Sequence, residues 1–254
     1  MGIATVERTN RTAPEQPPDD WPKAQNILVI LAHPDDPEFF CGGTLARWAR
    51  AGHRIDYVLL TCGEKGRNAY NQQIPGEELC ALRQQEEQAA AAVIGAQAVR
   101  FLDNEDGTLV PDLKLRLEVV RIIRKMKPDI LVTCDPQNLF ASYGLNHPDH
   151  RAAGQIVLDA VFPAAGNDLF FPFLLQEGLE PHMPREVWVS LTEQPNVVLD
   201  VTDTWQIKLQ ALKEHKSQIG DPLEFEKRMR KRHSADSTDE NPRFEEKFRR
   251  ILYT

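Results

Sequence analysis

The sequence predicts an α/β protein with a Rossmann-like, mostly parallel sheet flanked by helices on both faces. From residue 25 onward, short apolar runs alternate with longer segments of helical pattern, which is the order of a β-α-β chain. The apolar runs are continuous, as expected of strands that are covered on both faces. A length of 254 residues suffices for one sizeable core and gives no sign of a second.

Each predicted strand is an apolar run, and the predicted helices are marked by helix-forming residues and by their end signals. Gly95 and Pro128 end two of the helices. The predicted strands cover residues 26–32, 55–61, 99–102, 129–134, 186–191 and 197–201. The predicted helices cover residues 43–51, 77–94, 113–126, 150–161 and 203–217. Thr202 or Asp203 is the expected cap of the last helix.

The two ends of the chain differ in composition from the region between them. Residues 1–22 carry Pro14, Pro17, Pro18 and an acidic pair with little that could pack, and they predict a disordered tail. Residues 23–254 are expected to form a single domain, with a charged and mostly helical extension after residue 222 and turn signals at 234–242. Residues 244–253 of this extension carry apolar side chains at helical spacing, which would pack at a subunit interface or on the core of the same chain. They are Phe244, Phe248, Ile251 and Leu252.

Composition excludes several classes of protein. A formal net charge of −8 argues against nucleic acid or an anionic membrane surface as the main partner, because both require a basic footprint. No apolar run approaches the ~20 residues that cross a bilayer, so membrane insertion is not expected. The first 20 residues lack the apolar core of a secretory signal, which predicts a cytoplasmic location.

The four cysteines predict thiols rather than a disulfide framework. Cys41, Cys62, Cys80 and Cys134 are scattered, and no two of them form a CxxC pair. Cys62 and Cys134 each end a predicted strand, where a buried thiol is the ordinary interpretation.

A repeated tetrapeptide is the strongest functional signal in the chain. HPDD at residues 33–36 directly follows the first predicted strand, and HPDH at residues 147–150 lies in the loop after the fourth. Either copy alone is typical of a turn whose Asp caps a helix. Ligands of open α/β sheets bind beyond the carboxyl ends of the strands, so two copies at that edge favour a functional site.

The residue types in the two copies suit zinc. A catalytic zinc ion takes three protein ligands, commonly His nitrogen and Asp oxygen, and leaves the fourth position open to water. His33 and Asp36 can turn to one point from a tight loop, and His150 can approach it from the first turn of the following helix. Our hypothesis is that His33, Asp36 and His150 hold one zinc ion per chain.

Four segments resemble the PIG-L/LmbE family of zinc-dependent deacetylases, which remove acetyl groups from N-acetylglucosamine units. The resemblance covers roughly residues 25–220, and "GLEPH" and "HKSQ" look most like the diacetylchitobiose-type members. The four segments read "AHPDDPEFFCGGTLARWARAG", "ELCALRQQEEQAAAAVIGA", "NHPDHRAAG" and "LDVTDTWQIKLQALKEHKSQ".

The resemblance implies an LmbE-like fold, a single zinc ion on His33, Asp36 and His150, and a homo-oligomer, which in many relatives is a hexamer. It also implies that Asp35 is the general base, and that His147 stabilises the oxyanion and protonates the leaving amine. Asp149, two residues after His147, is expected to fix the tautomer of that imidazole.

The resemblance further implies that Arg83 and Asp106 bind the sugar. Taken alone, the spacing of Arg83 and Glu86 is equally typical of a surface ion pair, and Asp106 before Gly107 is typical of a β-turn. Four further residues have no settled role, and His215 is as readily a structural histidine as a site residue. They are Glu64, Arg67, Tyr143 and His215.

The predicted function is zinc-dependent hydrolysis of the N-acetyl amide of an N-acetylglucosamine-type substrate, which releases acetate and the free amine. Two alternatives stay open: an amidase acting on a thiol conjugate, and a non-catalytic sugar- or nucleotide-binding module. The chain lacks GxGxxG after its first strand and lacks a P-loop, so a phosphate cradle is missing. The sequence leaves open which sugar is the substrate and which metal is bound in the cell.

Overall fold

The computed structural model describes residues 4–5, 18–67, 69, 73–141 and 144–253. Its strands are β1 Ala4–Thr5, β2 Asn26–Leu31, β3 Arg54–Thr61, β4 Ala98–Asn104, β5 Ile130–Cys134, β6 Phe140–Ala141, β7 Gly144–Leu145, β8 Glu186–Ser190, β9 Val197–Asp200 and β10 Glu245–Tyr253. Its α-helices are α1 Asp36–Arg50, α2 Gly76–Ile94, α3 Leu113–Met126, α4 Pro148–Asp159, α5 Trp205–Leu212, α6 Lys216–Ile219 and α7 Pro222–Arg230. A π-helical turn at Ala160–Ala165 continues α4, and 3-10 turns lie at Pro172–Glu177 and Thr202–Thr204.

In the described part of the chain, one mixed sheet of eight strands organises the fold. Its strand order is β1-β10-β8-β5-β2-β3-β4, and β9 pairs with β10 beside that path. Strands β2, β3, β4, β5 and β8 are parallel, whereas β10 is antiparallel to β1, β8 and β9. The chain fills the sheet outward from β2 through β3 to β4, and then returns to the other side of β2 with β5. The crevice between the ends of β2 and β5 is therefore the topological switch point where α/β proteins bind ligands.

The core explains why the apolar runs are continuous. Every residue of β5 is buried, and in β2 and β3 only the first residue is exposed. Helices α1, α2 and α5 pack together as one group, and α3 packs with α4 as another. Both faces of the parallel strands are thus covered, which confirms the predicted fold class.

Helix boundaries agree with the prediction where the end signals are strong. Helix α3 spans the predicted residues, and Gly95 ends α2 in the left-handed conformation, with φ 97°. Helix α1 starts seven residues before the prediction because Pro37 occupies its first turn, where a missing N–H costs nothing.

The predicted long helix at 203–217 is wrong in its extent. A 3-10 turn at Thr202–Thr204 precedes α5, and residues 213–215 separate α5 from α6. Neither Thr202 nor Asp203 is the cap of α5, which begins directly after Thr204.

The prediction of a mostly helical end is confirmed at α7 but is wrong at Glu245–Tyr253, which is strand β10. Phe244 and Phe248 are buried, and the side chain between them, Glu246, is buried as well. The Glu246 carboxylate accepts hydrogen bonds from the N–H groups of Gly43 (2.9 Å) and Thr44 (2.7 Å) in α1, and Lys208 Nζ lies 2.7 Å away. An acidic residue at an interior position concealed the period of two that marks a strand.

The prediction of a disordered tail is wrong for its last residues. Asp19 is buried, and its carboxylate accepts hydrogen bonds from Trp48 Nε1 (3.0 Å) and Arg47. Trp21 packs against Trp48 with the ring centroids 5.2 Å apart. Ala4–Thr5 pairs with β10 as β1, and the other residues up to 17 lie outside the described part of the chain. None of the helices in the described ranges combines the length and apolar character that a bilayer crossing requires.

The structure contains a disulfide that the sequence did not predict. Cys62, directly after β3, is bonded to Cys80 in α2, with the two Cα atoms 5.1 Å apart. A separation of 18 residues has no recognisable motif, and the two cysteines meet only because β3 and α2 are neighbours in the fold. Cys41 and Cys134 are free and buried, which confirms the buried thiol predicted for Cys134, whereas the thiol predicted for Cys62 is wrong.

Replacing both bonded cysteines, as Cys62→Ala with Cys80→Ala, is expected to lower the free energy of unfolding by about 3 kcal/mol, since the unfolded chain loses an 18-residue loop constraint. Urea unfolding measures this loss. Dithiothreitol should destabilise the wild-type protein by the same amount and leave the double variant unchanged. Equal stability of the two proteins without reductant would contradict the bond.

Candidate active site

The two HPD motifs meet at one cavity of about 550 Å³ at the switch point of the sheet. The first motif lies between β2 and α1, and the second supplies the first turn of α4. Phe39, Phe40 and Leu191 contribute an apolar wall. Seven of the eight predicted site residues line the cavity, and Asp149 does not. The seven are His33, Asp35, Asp36, Arg83, Asp106, His147 and His150.

Asp36 connects the two motifs. Its Oδ1 lies 3.1 Å from His150 Nε2, and its Oδ2 lies 3.6 Å from His33 Nδ1. The same Oδ2 accepts hydrogen bonds from the backbone N–H groups of His33 (2.9 Å) and Ala32 (3.2 Å). Burial opposes ionisation of this carboxyl, but the imidazoles of His150 and His33 outweigh it and lower its pKa below the usual range. The structure therefore brings the three predicted zinc ligands into contact.

His33 is surrounded by more donors than the predicted set. Nitrogens of His33, His147 and His150 lie within 4.8 Å of one another, so a third imidazole borders the same point. On the other side, His33 Nε2 lies 3.0 Å from Asp106 Oδ1 and 3.4 Å from Asp149 Oδ2. Burial disfavours protonated His33, yet the three nearby carboxylates raise its pKa well above the ordinary value.

This donor set fits a divalent cation. His33 Nε2 is buried and has no hydrogen bond of acceptable geometry among the described residues. Imidazole nitrogens and a carboxylate oxygen are the ligands zinc uses in hydrolytic sites. The buried carboxylates around His33 would also stabilise the positive charge of a cation beside the imidazoles. The choice of His33, Asp36 and His150 as ligands stays a prediction.

Asn146 fixes the orientation of His150, and sequence reasoning missed it. His150 Nδ1 lies 2.9 Å from Asn146 Oδ1, and Asn146 Nδ2 donates to the carbonyl of Asn138 at 2.8 Å. The second bond fixes which end of the amide faces the ring, so Nδ1 carries the proton and Nε2 faces Asp36. Metal-binding histidines usually donate their other N–H in this way. The Asn that precedes HPDH was the available signal.

Asp35 has an unusual backbone conformation. It is the residue before α1 and has φ 85°, yet its side chain makes no capping hydrogen bond to the helix. Its N–H donates to Glu87 Oε2 at 2.8 Å, and Arg83 Nη2 lies 3.3 Å from its Oδ2. Burial raises the pKa of this carboxyl, and the Arg83 guanidinium acts against that rise. The carboxylate faces the cavity and is available for chemistry.

His147 is held by a backbone contact and not by the Asp149 carboxylate. Its Nδ1 accepts the N–H of Asp149 at 3.2 Å, which leaves the proton of the neutral ring on Nε2. The Asp149 side chain instead accepts from the N–H groups of Gly107 (2.6 Å) and Leu109 (3.1 Å). Burial lowers the pKa of His147, and the charges on His33 and His150 lower it further.

The predicted sugar-binding residues lie at the cavity wall but bond mainly to the protein. Arg83 is only 4% exposed, and its guanidinium donates to the carbonyls of Gly63 (2.8 Å) and Pro34 (2.7 Å). It is not part of a surface ion pair with Glu86, which is buried against Ser217. Asp106 Oδ2 accepts the N–H of Lys65; burial opposes ionisation of Asp106, but His33 lowers its pKa to about 2. Sugar binding by Arg83 and Asp106 stays a prediction.

The four residues without a settled role lie in different places. Glu64 supports the site from outside, because its Oε1 accepts the N–H of Asp106 at 2.7 Å. Arg67 lines the cavity, whereas Tyr143 falls outside the described residues. His215 is fully buried, with Nε2 3.1 Å from Glu38 Oε2, and does not line the cavity.

Asn146→Ala should weaken zinc binding by about 10- to 100-fold, because the Nδ1–H of His150 loses the acceptor that orients the ring. Asn146→Asp keeps an acceptor oxygen and should retain near wild-type affinity. Competition with a zinc chelator measures both dissociation constants, with the exposed Gln137→Ala as the neighbouring control. Unchanged affinity in Asn146→Ala would exclude this orienting role.

Comparison with known proteins gives one consistent family. The PIG-L model, described as GlcNAc-PI de-N-acetylase, matches residues 28–161, slightly over half of the chain. The diacetylchitobiose deacetylase of Thermococcus kodakarensis is 34% identical over 195 residues, which cover 77% of this chain and 70% of that protein. The probable N-acetyl-alpha-D-glucosaminyl L-malate deacetylase 2 of Bacillus subtilis is 30% identical over 204 residues, covering 76% and 83%.

A solved structure extends the similarity to nearly the whole chain. The N,N'-diacetylchitobiose deacetylase of Pyrococcus horikoshii, complexed with its inhibitor MPG, superposes with a TM-score of 0.80 at 30% identity. The superposition covers 90% of this chain and 84% of that one. The predicted resemblance, including the diacetylchitobiose type, is therefore confirmed.

Proposed function

Because the chain belongs to the PIG-L family, it is an N-deacetylase, and we propose that it hydrolyses the N-acetyl amide of an N-acetylglucosamine-type substrate with one zinc ion per chain. The products are acetate and the free amine. The observation that carries the proposal is the convergence of both HPD motifs on one cavity, where Asp36 contacts His33 and His150.

The proposed ligands are His33, Asp36 and His150. A zinc ion held there supplies Lewis acidity, which makes water more acidic and an amide carbonyl more electrophilic. Asp36 contacts both imidazoles through its two oxygens, and Asn146 sets the ring orientation of His150. These contacts pre-organise the ligands, so little conformational freedom is lost when the ion binds.

Asp35 is the proposed general base. It lies next to a proposed ligand along the chain, its carboxylate lines the cavity, and no helix-capping bond occupies it. The guanidinium of Arg83, 3.3 Å away, favours the ionised form that a base requires. The proton that Asp35 removes from the attacking water is then available for the leaving amine.

His147 is proposed to stabilise the oxyanion of the tetrahedral intermediate. Its Nδ1 faces a backbone N–H, so a second proton on that nitrogen would oppose a donor. The ring therefore offers its single proton on Nε2, which is a suitable hydrogen bond for a developing negative charge. Of the two roles that the resemblance implies for His147, this geometry supports the donor to the oxyanion more than the acid that protonates the amine.

Acetate release from N-acetylglucosamine and N,N'-diacetylchitobiose tests the proposal. A chelator should abolish the activity and added zinc should restore it, while His150→Ala should lose the metal. Asp35→Asn should lower kcat by about 10²–10⁴-fold and keep its zinc, because it removes the base and not a ligand. Asp103→Asn, an exposed change on β4, is the control. Near wild-type turnover by Asp35→Asn would show that another group is the base.

The substrate within this class is open to a direct comparison. We propose a sugar with a free or β-linked N-acetylglucosamine unit, because the relative at 34% identity is named for diacetylchitobiose. Parallel assays with N-acetylglucosaminyl malate and with a thiol-conjugate amide should give lower kcat/KM values. A higher value for either compound would reassign the substrate. The homo-oligomer and the cytoplasmic location stay predictions from the sequence.

A further inference from the structure

We propose that Arg83 and Glu87 are positioning residues, which hold the peptide between Pro34 and Asp35 from both of its ends and thereby orient the Asp35 carboxylate. We call these two side chains the α2 clamp. The proposal rests on the proposed role of Asp35 as general base. It gives Arg83 a task other than sugar binding, and it gives a function to Glu87, which does not line the cavity.

The contacts of the clamp converge on a single peptide group. Arg83 Nη2 donates to the carbonyl of Pro34 at 2.7 Å, and the N–H of Asp35 donates to Glu87 Oε2 at 2.8 Å. That carbonyl and that N–H belong to the same peptide bond, so both of its polar groups are bonded to α2. Arg83 and Glu87 are four residues apart and therefore lie on the same face of the helix.

The backbone of Asp35 needs such support. A φ of 85° is costly for a residue with a Cβ atom, by roughly 1–3 kcal/mol, and persists only where surrounding contacts determine it. The ordinary compensation would be a side-chain cap on α1, which Asp35 does not make. Bonds to the preceding peptide from α2 hold the conformation instead, and they leave the carboxylate free.

Both members of the clamp are buried and are themselves fixed. Glu87 is wholly inaccessible to solvent, and Arg83 is 4% exposed. Gly63 anchors Arg83 through its carbonyl and also makes room for it, because a Cβ atom at Gly63 would lie 2.1 Å from Nη1. A Cβ atom at Gly66 would lie 2.5 Å from the same nitrogen. Two buried ionisable side chains are expensive unless each is bonded, which argues that their position at this peptide matters.

His215 and Glu38 lie next to Glu87 in the protein interior. His215 Nε2 lies 3.9 Å from Glu87 Oε2 and 3.1 Å from Glu38 Oε2. All three side chains are fully buried, and none of them lines the cavity. One atom of each lies within 4.8 Å of the others, so His215 and Glu38 pack around the carboxylate that accepts the Asp35 N–H.

Paired variants at residue 87 separate positioning from bulk packing. Glu87→Gln keeps an acceptor oxygen, and its kcat should stay within about threefold of wild type. Glu87→Met has a similar volume but no acceptor, and its kcat should fall by about 10²-fold, the loss expected when a catalytic group shifts by about 1 Å. KM and the zinc content should be unchanged in both variants, because neither substrate contacts nor ligands are altered.

A double-mutant cycle tests whether Glu87 acts through Asp35. In an Asp35→Asn background, Glu87→Met should cause less than about a twofold further loss, since the group that it positions is already disabled. The matched control is Glu86→Met, which removes bonds to Ser217 from the adjacent buried residue. Its effect should be the same in both backgrounds. Thermal unfolding confirms that each variant is folded.

The other end of the peptide supplies a second test, which also applies if Glu87→Met does not fold. Arg83→Lys keeps the charge, but one ammonium group cannot contact Gly63, Pro34 and Asp35 at the same time as the guanidinium does. We therefore expect kcat to fall while KM stays constant. This loss of kcat should vanish in the Asp35→Asn background. A rise in KM at constant kcat would show sugar binding instead. The positioning role would be overturned if the loss of kcat caused by Glu87→Met or Arg83→Lys were as large in the Asp35→Asn background as in the wild type. Equal kcat values in Glu87→Gln and Glu87→Met would overturn it as well. An active Asp35→Asn enzyme would refute the proposed base itself.

Discussion

The carboxylate of Asp36 is the interaction on which the rest of the site depends. One oxygen is bonded to the backbone at the end of β2, and the other meets His150 on α4. It therefore links the β2-α1 unit to the β5-α4 unit across the point where the sheet order reverses. Without this link, nothing in the Asp36 carboxylate would fix the position of the His33 imidazole relative to that of His150.

The site places several ionisable side chains at two helix ends. Helices α1 and α4 both begin at the cavity, so their positive ends face it, which favours an anion such as acetate and disfavours a cation. Asp36, Asp106 and Asp149 counter that bias around His33. The balance suits a reaction in which a cation and a developing oxyanion occupy neighbouring positions.

Sequence reasoning succeeded where the signal is local and repeated. Continuous apolar runs predicted the parallel strands, and the two HPD motifs identified five residues that line one cavity because strand ends share an edge. Arg83 and Asp106, which line it too, came from the family resemblance. Sequence reasoning failed where the decisive partner is remote. From the sequence alone, Glu246 in β10 is expected to be exposed to solvent. Its burial is explained only by Lys208 and the N–H groups of α1, which are remote in sequence. Cys62 meets Cys80, and Glu87 meets Asp35, only through the packing of α2.

The late position of β10 in the chain has a consequence for biogenesis. The helix that carries Asp36 is kinked at Cys41, where the backbone leaves helical geometry, and Glu246 bonds the two N–H groups that follow the kink. During translation, more than 190 residues must be synthesised after α1 before Glu246 exists. The helix bearing the proposed ligand thus reaches its final packing only after Glu246 has been synthesised, so the pocket around Asp36 is completed late in folding.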